Sequence, residues 1–253
     1  MYFFAFPDLW NMNLVVDIGN TQVKYAVFDQ EKILVTESSA CGVFLSKIKT
    51  LFETYPKIEY ALLSSVKNLE NKEFEVLSLF CKVHLLSSAS RVPFKNRYAS
   101  PETLGVDRMA LATAAFYHNP KGNTLVIDMG TCITYDFIDH HGGYHGGAIS
   151  PGLNMRYRAM HAQTSKLPLL EPEFHQEFIG NTTARSMHTG VVQGICHELD
   201  GTIAQYKNRF LFLTVILTGG DSHFFAKRLK NSIFAHSKFL LEGLNYLLEY
   251  NKD

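Results

Sequence analysis

The stretch LVVDIGNTQVKYAVFD, Leu14 to Asp29, constrains this chain more than any other. An apolar, β-branched run with the composition of a buried strand ends at Asp17, passes through Gly19-Asn20-Thr21, and resumes with Lys24 inside the second run. A structural hairpin needs such a turn but not the carboxylate. The pattern then recurs in LVIDMGTCITYDFID, Leu125 to Asp139, with Asp128 in the place of Asp17. The copies stand too far apart for a solenoid period, so two related lobes facing each other is the simplest arrangement. A cleft between lobes is a usual place for a ligand.

Both copies put an aspartate at the end of an apolar strand, then a glycine, then hydroxyl or amide residues. Glycine lets backbone N–H groups approach a phosphate with no side chain in the way. Thr21 and Thr131 add hydroxyl donors, and Lys24 a point positive charge. An aspartate beside a polyphosphate is repelled unless a cation stands between them. Two such aspartates therefore imply a metal-bridged nucleotide. One D-x-G-N-T alone reads as a plain β-turn; its duplication with matching flanks favours the phosphate reading. No G-x-x-x-x-G-K-[ST] occurs and no G-x-G-x-x-G follows a strand, which removes the P-loop and dinucleotide readings.

The rest of the chain alternates strand and helix patterns. Strands are expected at NLVVDIG, VKYAVFD, KILVTES, EYALLSSV and KVHLLSS, and helices over 42–54, 69–80 and VDRMALATAAFYH. That alternation predicts an α/β fold with a largely parallel sheet covered on both faces. HNPKGN, residues 118–123, is the best linker, giving an N-terminal lobe over 1–119 and a C-terminal lobe over 120–253. Residues 1–11 read as an extension: they are oily but carry Pro7 and Asp8 and lack the basic start and cleavage site of a signal peptide. Lys+Arg and Asp+Glu balance at 24 each, so no basic field advertises nucleic acid or an anionic membrane. Four scattered cysteines with no C-x-x-C pair fit a reduced, cytoplasmic protein, and no segment is long and apolar enough to span a bilayer.

DIGNTQVK and DMGTCITYD resemble the two phosphate motifs of the acetate and sugar kinase/heat-shock/actin superfamily, and LTGGDS, Leu217 to Ser222, resembles its adenosine motif. YASPETLGVDR (Tyr98 to Arg108), GGAISPGL (Gly146 to Leu153), QTSKLP (Gln163 to Pro168) and GNTTARSMHTGV (Gly180 to Val191) follow in the order of type III pantothenate kinases. The resemblance covers Asn13 to about Tyr250 and implies two duplicated ribonuclease H-like (actin-like ATPase) lobes that clamp ATP between them. It implies phosphorylation of pantothenate to 4′-phosphopantothenate, the first step toward coenzyme A. Asp17, Ile18, Gly19, Asn20, Thr21, Gln22, Val23 and Lys24 would hold the ATP phosphates, with Asp17 positioning Mg²⁺ through water and Thr131 touching the nucleotide. Asp128 would ligate a monovalent cation, K⁺ or NH₄⁺. Tyr98, Gly105, Val106, Asp107, Arg108 and Thr183 would form the pantothenate pocket, with Asp107 as the proton acceptor. The family's homodimer, with that pocket at or near the subunit interface, is adopted on the same ground.

Physical chemistry bears on the role of Asp107. It lies near the start of a predicted helix beside Arg108, and both favour a negative charge there. Read in isolation, the Asp107–Arg108 pair is more readily a helix-start ion pair; its placement after YASPETLG in this motif order demotes that reading. Two other readings stay open for the chain as a whole: the same fold with a sugar or acetate acceptor, and a nucleotide-binding regulator without turnover. His140, His141 and His145 cluster in DHHGGYH, but in a turn without metal-ligand spacing. The C-terminal HSKFLLEGLNYLLEY is amphipathic, suited either to another subunit or to packing on its own lobe.

Overall fold

The computed structural model describes residues 12–19, 22–65 and 72–252. In chain order the strands and helices are β1 Met12–Ile18, β2 Val23–Asp29, β3 Lys32–Ser39, α1 Phe44–Thr54, β4 Ile58–Ser65, α2 Lys72–Ser78 and β5 Lys82–Leu85. Then come β6 Lys95–Asn96, α3 Val106–His118, β7 Thr124–Met129, β8 Cys132–Ile138, β9 Gly143–Pro151 and α4 Leu153–Ala162. The last elements are α5 Thr183–His188, a π-helical turn Thr189–Gln193, α6 Gly194–Arg209, β10 Thr214–Thr218, α7 Ser222–Ala226, β11 Phe234–Ala235 and α8 Phe239–Asn251.

The strands make two sheets with one plan. The first runs β3-β2-β1-β4-β5, with β1, β2 and β3 antiparallel and β4 and β5 parallel to β1. The second runs β11-β10-β7-β8-β9-β6, in which β7, β8 and β9 repeat the antiparallel meander and β10 and β11 the parallel pair. Its extra edge strand, β6, pairs parallel with β9. The duplication legible in the two Asp–Gly motifs thus extends to the whole sheet order.

The chain forms two compact units: one from the described residues of Met1–Pro93 with Ser100–Ala114 and Leu240–Asp253, the other from Phe94–Ala99 and Ala115–Phe239. A single division after residue 119 is therefore not how contacts cluster, because the last helix returns to the first unit. In that unit, Phe44, Ile48 and Leu51 bury the apolar stripe of α1 against Leu14, Val16, Tyr25 and Leu63. The opposite face of the sheet, through Val15, Phe28 and Leu62, packs on Ala110 of α3 and on Leu244, Leu247 and Leu248 of α8. Each of those leucines is essentially fully buried, worth about 1.5–3 kcal/mol apiece.

Two further features pin α8. Any Cβ at Gly243 would collide with the Ala110 carbonyl, so the helices cross in backbone contact. Buried Asn13 donates to Asn245 Oδ1 at 2.8 Å and Glu249 Oε1 at 2.6 Å, and Asn245 donates to the Gln30 carbonyl at 2.9 Å. The amphipathic C-terminal segment is thus consumed inside its own chain. In the second unit, Leu125, Ile127, Tyr135 and Phe137 of the sheet pack against Leu153, Tyr157, Val192, Ile195, Leu199 and Phe225 from α4 to α7. The basic run 227–230 follows α7, and Arg228 stacks over the rings of Phe174 and Phe224.

Candidate active site

The first Asp–Gly turn joins β1 to β2 and is closed by Gly19 N–H donating to the Gln22 carbonyl at 3.0 Å. Asn20 and Thr21 lie outside the described residues. In the antiparallel register Asp17 stands directly opposite Lys24, and in the parallel register beside Ser64 of β4. Cross-strand neighbours share a face of the sheet, so a lysine and a hydroxyl flank the carboxylate. Ile18 and Val23 are buried in the core, leaving only their backbone groups to face a ligand.

Asp17 is 7% exposed. Burial raises its pKa above the ordinary carboxylate value; Lys24 and Ser64 oppose that rise, and the charge of Asp107 adds to it. Asp107 thus belongs to the same unit as Asp17 and acts on it electrostatically. The Ser64 hydroxyl beside Asp17 is buried without a hydrogen bond of regular geometry. A buried hydroxyl beside a carboxylate whose burial Lys24 only partly offsets is a setting that suits a hydrated Mg²⁺.

Asp107 sits in the first turn of α3, whose opening hydrogen bond runs from Met109 N–H to the Gly105 carbonyl at 3.1 Å. Its Oδ1 accepts the Arg108 N–H at 2.8 Å. That same oxygen lies 2.5 Å from where a Cβ on Gly105 would stand. A side chain at 105 would displace the carboxylate, which folds back over the glycine. Val106 is half-buried against the apolar layer that α8 covers, and the Arg108 side chain is 5% exposed.

The second turn, between β7 and β8, is closed by Gly130 N–H to the Cys132 carbonyl at 3.0 Å. Asp128 stands opposite Thr134 in the antiparallel register and beside Thr218 in the parallel one. Thr134 Oγ1 is a buried hydroxyl with no hydrogen-bond partner. A carboxylate flanked by hydroxyls, one of them orphaned, is an oxygen-only donor set suited to a hard cation.

Glycines bring two motifs onto this turn. Gly219 of LTGGDS has φ +91°, and a Cβ there would strike Asp128 and Met129; Asp221 N–H donates to the Met129 carbonyl at 3.0 Å. Gly152 of GGAISPGL lies on the Gly130 and Thr131 carbonyls and donates to Thr131 O at 3.1 Å.

Of the expected pantothenate residues in the second unit, Tyr98 lays its ring against Gly146, where a Cβ would stand 2.7 Å away and φ is +81°. Thr183 is an exposed first residue of α5, behind the N-cap Thr182, whose hydroxyl accepts Arg185 N–H at 3.2 Å. The described contacts bring together Asp17, Lys24 and Asp107 in one unit, and Asp128, Thr131, Gly152 and Gly219 in the other. They leave Thr183 apart from both groups.

Sequence reading missed a polar cluster behind β8 and β9. Glu198 of α6 accepts from Tyr135 Oη at 2.8 Å and Ser150 Oγ at 2.5 Å, and pairs with Arg156, whose Nε also donates to the Pro151 carbonyl at 2.9 Å. Burial works against the Glu198 charge, but Ser150, Arg156 and Tyr135 outweigh it and hold its pKa below the ordinary value. These residues brace the S-P-G segment that carries Gly152, and no local spacing announces them. The expected histidine cluster is used in closing a turn: Asp139 accepts His145 at 2.6 Å and the His141 and Gly143 amides at 2.9 and 2.8 Å. An open cavity of about 780 Å³ lined by Phe137, His145, Gly146, Arg209 and Phe210 contains none of the residues expected to hold nucleotide or pantothenate.

Two sheets sharing a five-strand plan, with an Asp–Gly turn in each, define the class: the architecture of the sugar-kinase and actin-like ATPases. The solved glucokinase of an Antarctic psychrotroph aligns over 96% of this chain and 100% of its own, with TM-score 0.55 and 14% identity. A Campylobacter jejuni protein assigned to the Baf family of transcriptional activators aligns over 94% and 98%, with TM-score 0.63 and 21% identity. At such identities these likenesses concern the fold alone. A curated type III pantothenate kinase from Flavobacterium psychrophilum is 47% identical over 241 residues, 95% of this chain and all of its relative. The family model described as type III pantothenate kinase matches residues 13–205, and the chain belongs to that family.

Proposed function

We propose that this chain catalyses ATP-dependent phosphorylation of pantothenate to 4′-phosphopantothenate, the opening step of coenzyme A synthesis, as a cytoplasmic homodimer. The observation that carries the reading is the placement in one unit of Asp17, opposite Lys24 at the first Asp–Gly turn, and Asp107, at the start of α3 with its carboxylate folded over Gly105; the charge of Asp107 is a minor, repulsive influence on Asp17. Both fall inside the span matched to the family.

In this reading the turn from Asp17 through Lys24 holds the ATP phosphates, and Asp17 orients Mg²⁺ through water. When bound, Mg²⁺ neutralises charge on the phosphates. Asp128 takes the monovalent cation, K⁺ or NH₄⁺, with Thr134 offering a further oxygen, and Thr131 meets the nucleotide. Tyr98, Gly105, Val106, Arg108 and Thr183 shape the pantothenate pocket.

Asp107 accepts the hydroxyl proton of pantothenate. A carboxylate is an intrinsically weak base. Phosphoryl transfer, however, proceeds through a loose transition state in which the proton leaves late, so placement outweighs basicity. The Gly105 contact and the Arg108 amide supply that placement. The lobe boundary near residue 119 stays part of the proposal as the junction of the duplicated halves, with α8 added to the first unit.

The direct test is an ADP-release assay of purified protein with MgATP and pantothenate, with and without K⁺, against glucose and acetate as rival acceptors. Turnover is expected only with pantothenate and to rise with K⁺ or NH₄⁺. Equal turnover on a sugar or on acetate, or none with pantothenate, defeats the proposal. Light scattering tests the dimer, with an expected mass of twice the 28.6 kDa of one chain.

A further inference from the structure

Residues 163–182 connect α4 to α5 with neither helix nor strand. So long a bare connection in a compact unit is usually functional or held by some other restraint. Here Leu167 and Leu170 pack on the core, Phe174 lies under Arg228, and the hydroxyls of Ser186 and Thr189 donate to the Gly180 and Glu177 carbonyls at 3.1 and 3.4 Å. His161 Nδ1 meets the Leu167 carbonyl at 2.8 Å, and Gln193 Nε2 donates to the carbonyls of His175 and Glu177 at 3.0 and 3.1 Å.

At one point this loop brings two metal-ligating side chains to a third. Glu173 and His175 of the loop and His188, the last residue of α5, each offer a ligand atom, and all three atoms lie within 4.8 Å of one another. His175 Nε2 and Glu173 Oε1 are 3.5 Å apart. Ligands on a tetrahedral ion with bonds of about 2.0–2.1 Å stand roughly 3.3 Å from each other. The rings of His175 and His188 are 5.3 Å apart and tilted by 55°, so the two imidazoles are not stacked face to face.

The setting of His188 is that of a ligand held ready. It is 5% exposed, and its Nδ1 lies 2.8 Å from the hydroxyl of Tyr157, itself 1% exposed. With Nδ1–H donating to that oxygen, Nε2 carries the lone pair, which is how proteins fix the tautomer of a ligating histidine. A packed Tyr–His pair would explain this half of the cluster. It does not explain a second imidazole and a carboxylate converging on the same ring, with the Glu173 side chain 66% exposed and open to an entering ion.

We propose that Glu173, His175 and His188 bind one Zn²⁺-class divalent ion, with water in a fourth position, clipping loop 163–182 to α5. Two imidazoles and one carboxylate suit zinc or cobalt, whereas Mg²⁺ and K⁺ favour oxygen donors. The site is thus chemically separate from the cation positions at the Asp–Gly turns.

The test titrates untagged, metal-free protein with Zn²⁺ against a chromogenic chelator and records the visible spectrum with Co²⁺. The expected result is one equivalent bound, a four-coordinate Co²⁺ spectrum without a sulfur charge-transfer band, and a melting temperature raised by Zn²⁺ but not by Mg²⁺. Glu173→Ala and His175→Ala, both on the loop rather than in the core, are each expected to weaken Zn²⁺ binding by about tenfold or more. They keep the proposal falsifiable should His188→Ala fail to fold. Absence of stoichiometric binding, or binding unchanged in both loop variants, overturns it. So does loss of binding in His140→Ala/His141→Ala, which would place the ion at the other histidine pair.

Discussion

The two Asp–Gly turns occupy equivalent places in two sheets of one plan, yet they are not copies. The first spans Gly19 to Gln22 between the paired residues Ile18 and Val23; the second is one residue shorter, Gly130 to Cys132 between Met129 and Ile133. More tellingly, the first aspartate is flanked by Lys24 and Ser64 and the second by Thr134 and Thr218. Each has one buried hydroxyl neighbour without a hydrogen bond of regular geometry among the described residues, Ser64 Oγ in the first and Thr134 Oγ1 in the second. The difference that matters is lysine against threonine. In the proposed reading the first turn, with its lysine, clamps phosphate, and the second, with its neutral hydroxyls, takes the monovalent ion. Surroundings diverge accordingly: Asp107 acts on Asp17, while glycines 152 and 219 crowd backbone onto the second turn.

The largest expected effect separates the turns by their neighbours. Asp107→Asn is expected to lower the turnover number by about 10²–10⁴-fold with little change in ATP affinity. A near-full rate would remove the base assignment. Gly105→Ala asks the same question without touching the carboxylate. Its methyl would stand 2.5 Å from Asp107 Oδ1, so the acid group must swing away. A loss of about 10²-fold in turnover at unchanged ATP affinity is expected, the scale of an ångström's misplacement. If Gly105→Ala is silent while Asp107→Asn is crippled, the Gly105 contact does not set the position of the carboxylate.

Effects at the second turn should be smaller and should appear in ion dependence. Asp128→Ala is expected to blunt activation by K⁺ or NH₄⁺. Thr134→Val removes only the orphaned hydroxyl. It is expected to raise the K⁺ concentration for half-activation several-fold, on the order of 1 kcal/mol of lost ligation, with the saturated rate preserved. Unchanged K⁺ curves for both variants would make the two turns alike and end the comparison.

How much of this was legible beforehand divides along local and non-local lines. The twin motif is local and announced both sheets, and VDRMALATAAFYH marked the bounds of α3, Val106–His118. The one-residue difference in turn length was not legible, because register is settled by pairing rather than by the turn's own letters. Nor were Ser64 and Thr218, which reach the aspartates from parallel strands far along the chain. The amphipathic pattern of α8 announced a buried face but not its partner; the Gly243–Ala110 contact and the Asn13–Asn245 bond choose the first unit. Glu198 and Arg156 lie 42 positions apart, and only the folded sheet makes them neighbours.

The smallest effect is the sharpest on mechanism, because it inverts the usual order of function and stability. Asp17 is buried with a raised pKa, burial being the main cause and Asp107 an added one. The native state therefore holds this proton to higher pH than the unfolded chain does. Between the ordinary value of 3.8 and the raised native value, stability falls as pH rises, and above that window the full cost of the buried charge remains. Asp17→Asn cannot ionise and escapes that cost. The ligand-free variant is thus expected to melt above wild type at neutral pH, by about 2–4 °C for each kcal/mol recovered, and to lose the pH dependence. Asp128→Asn, at a half-exposed position, is the control expected to move the melting temperature much less. With MgATP the order should reverse, since only wild type gains the stabilisation of the bound nucleotide. An Asp17→Asn protein that melts lower without ligand would show the carboxylate to be a structural ion pair with Lys24. The first turn would then lose the property that sets it apart, a negative charge the fold tolerates for the sake of the cation it attracts.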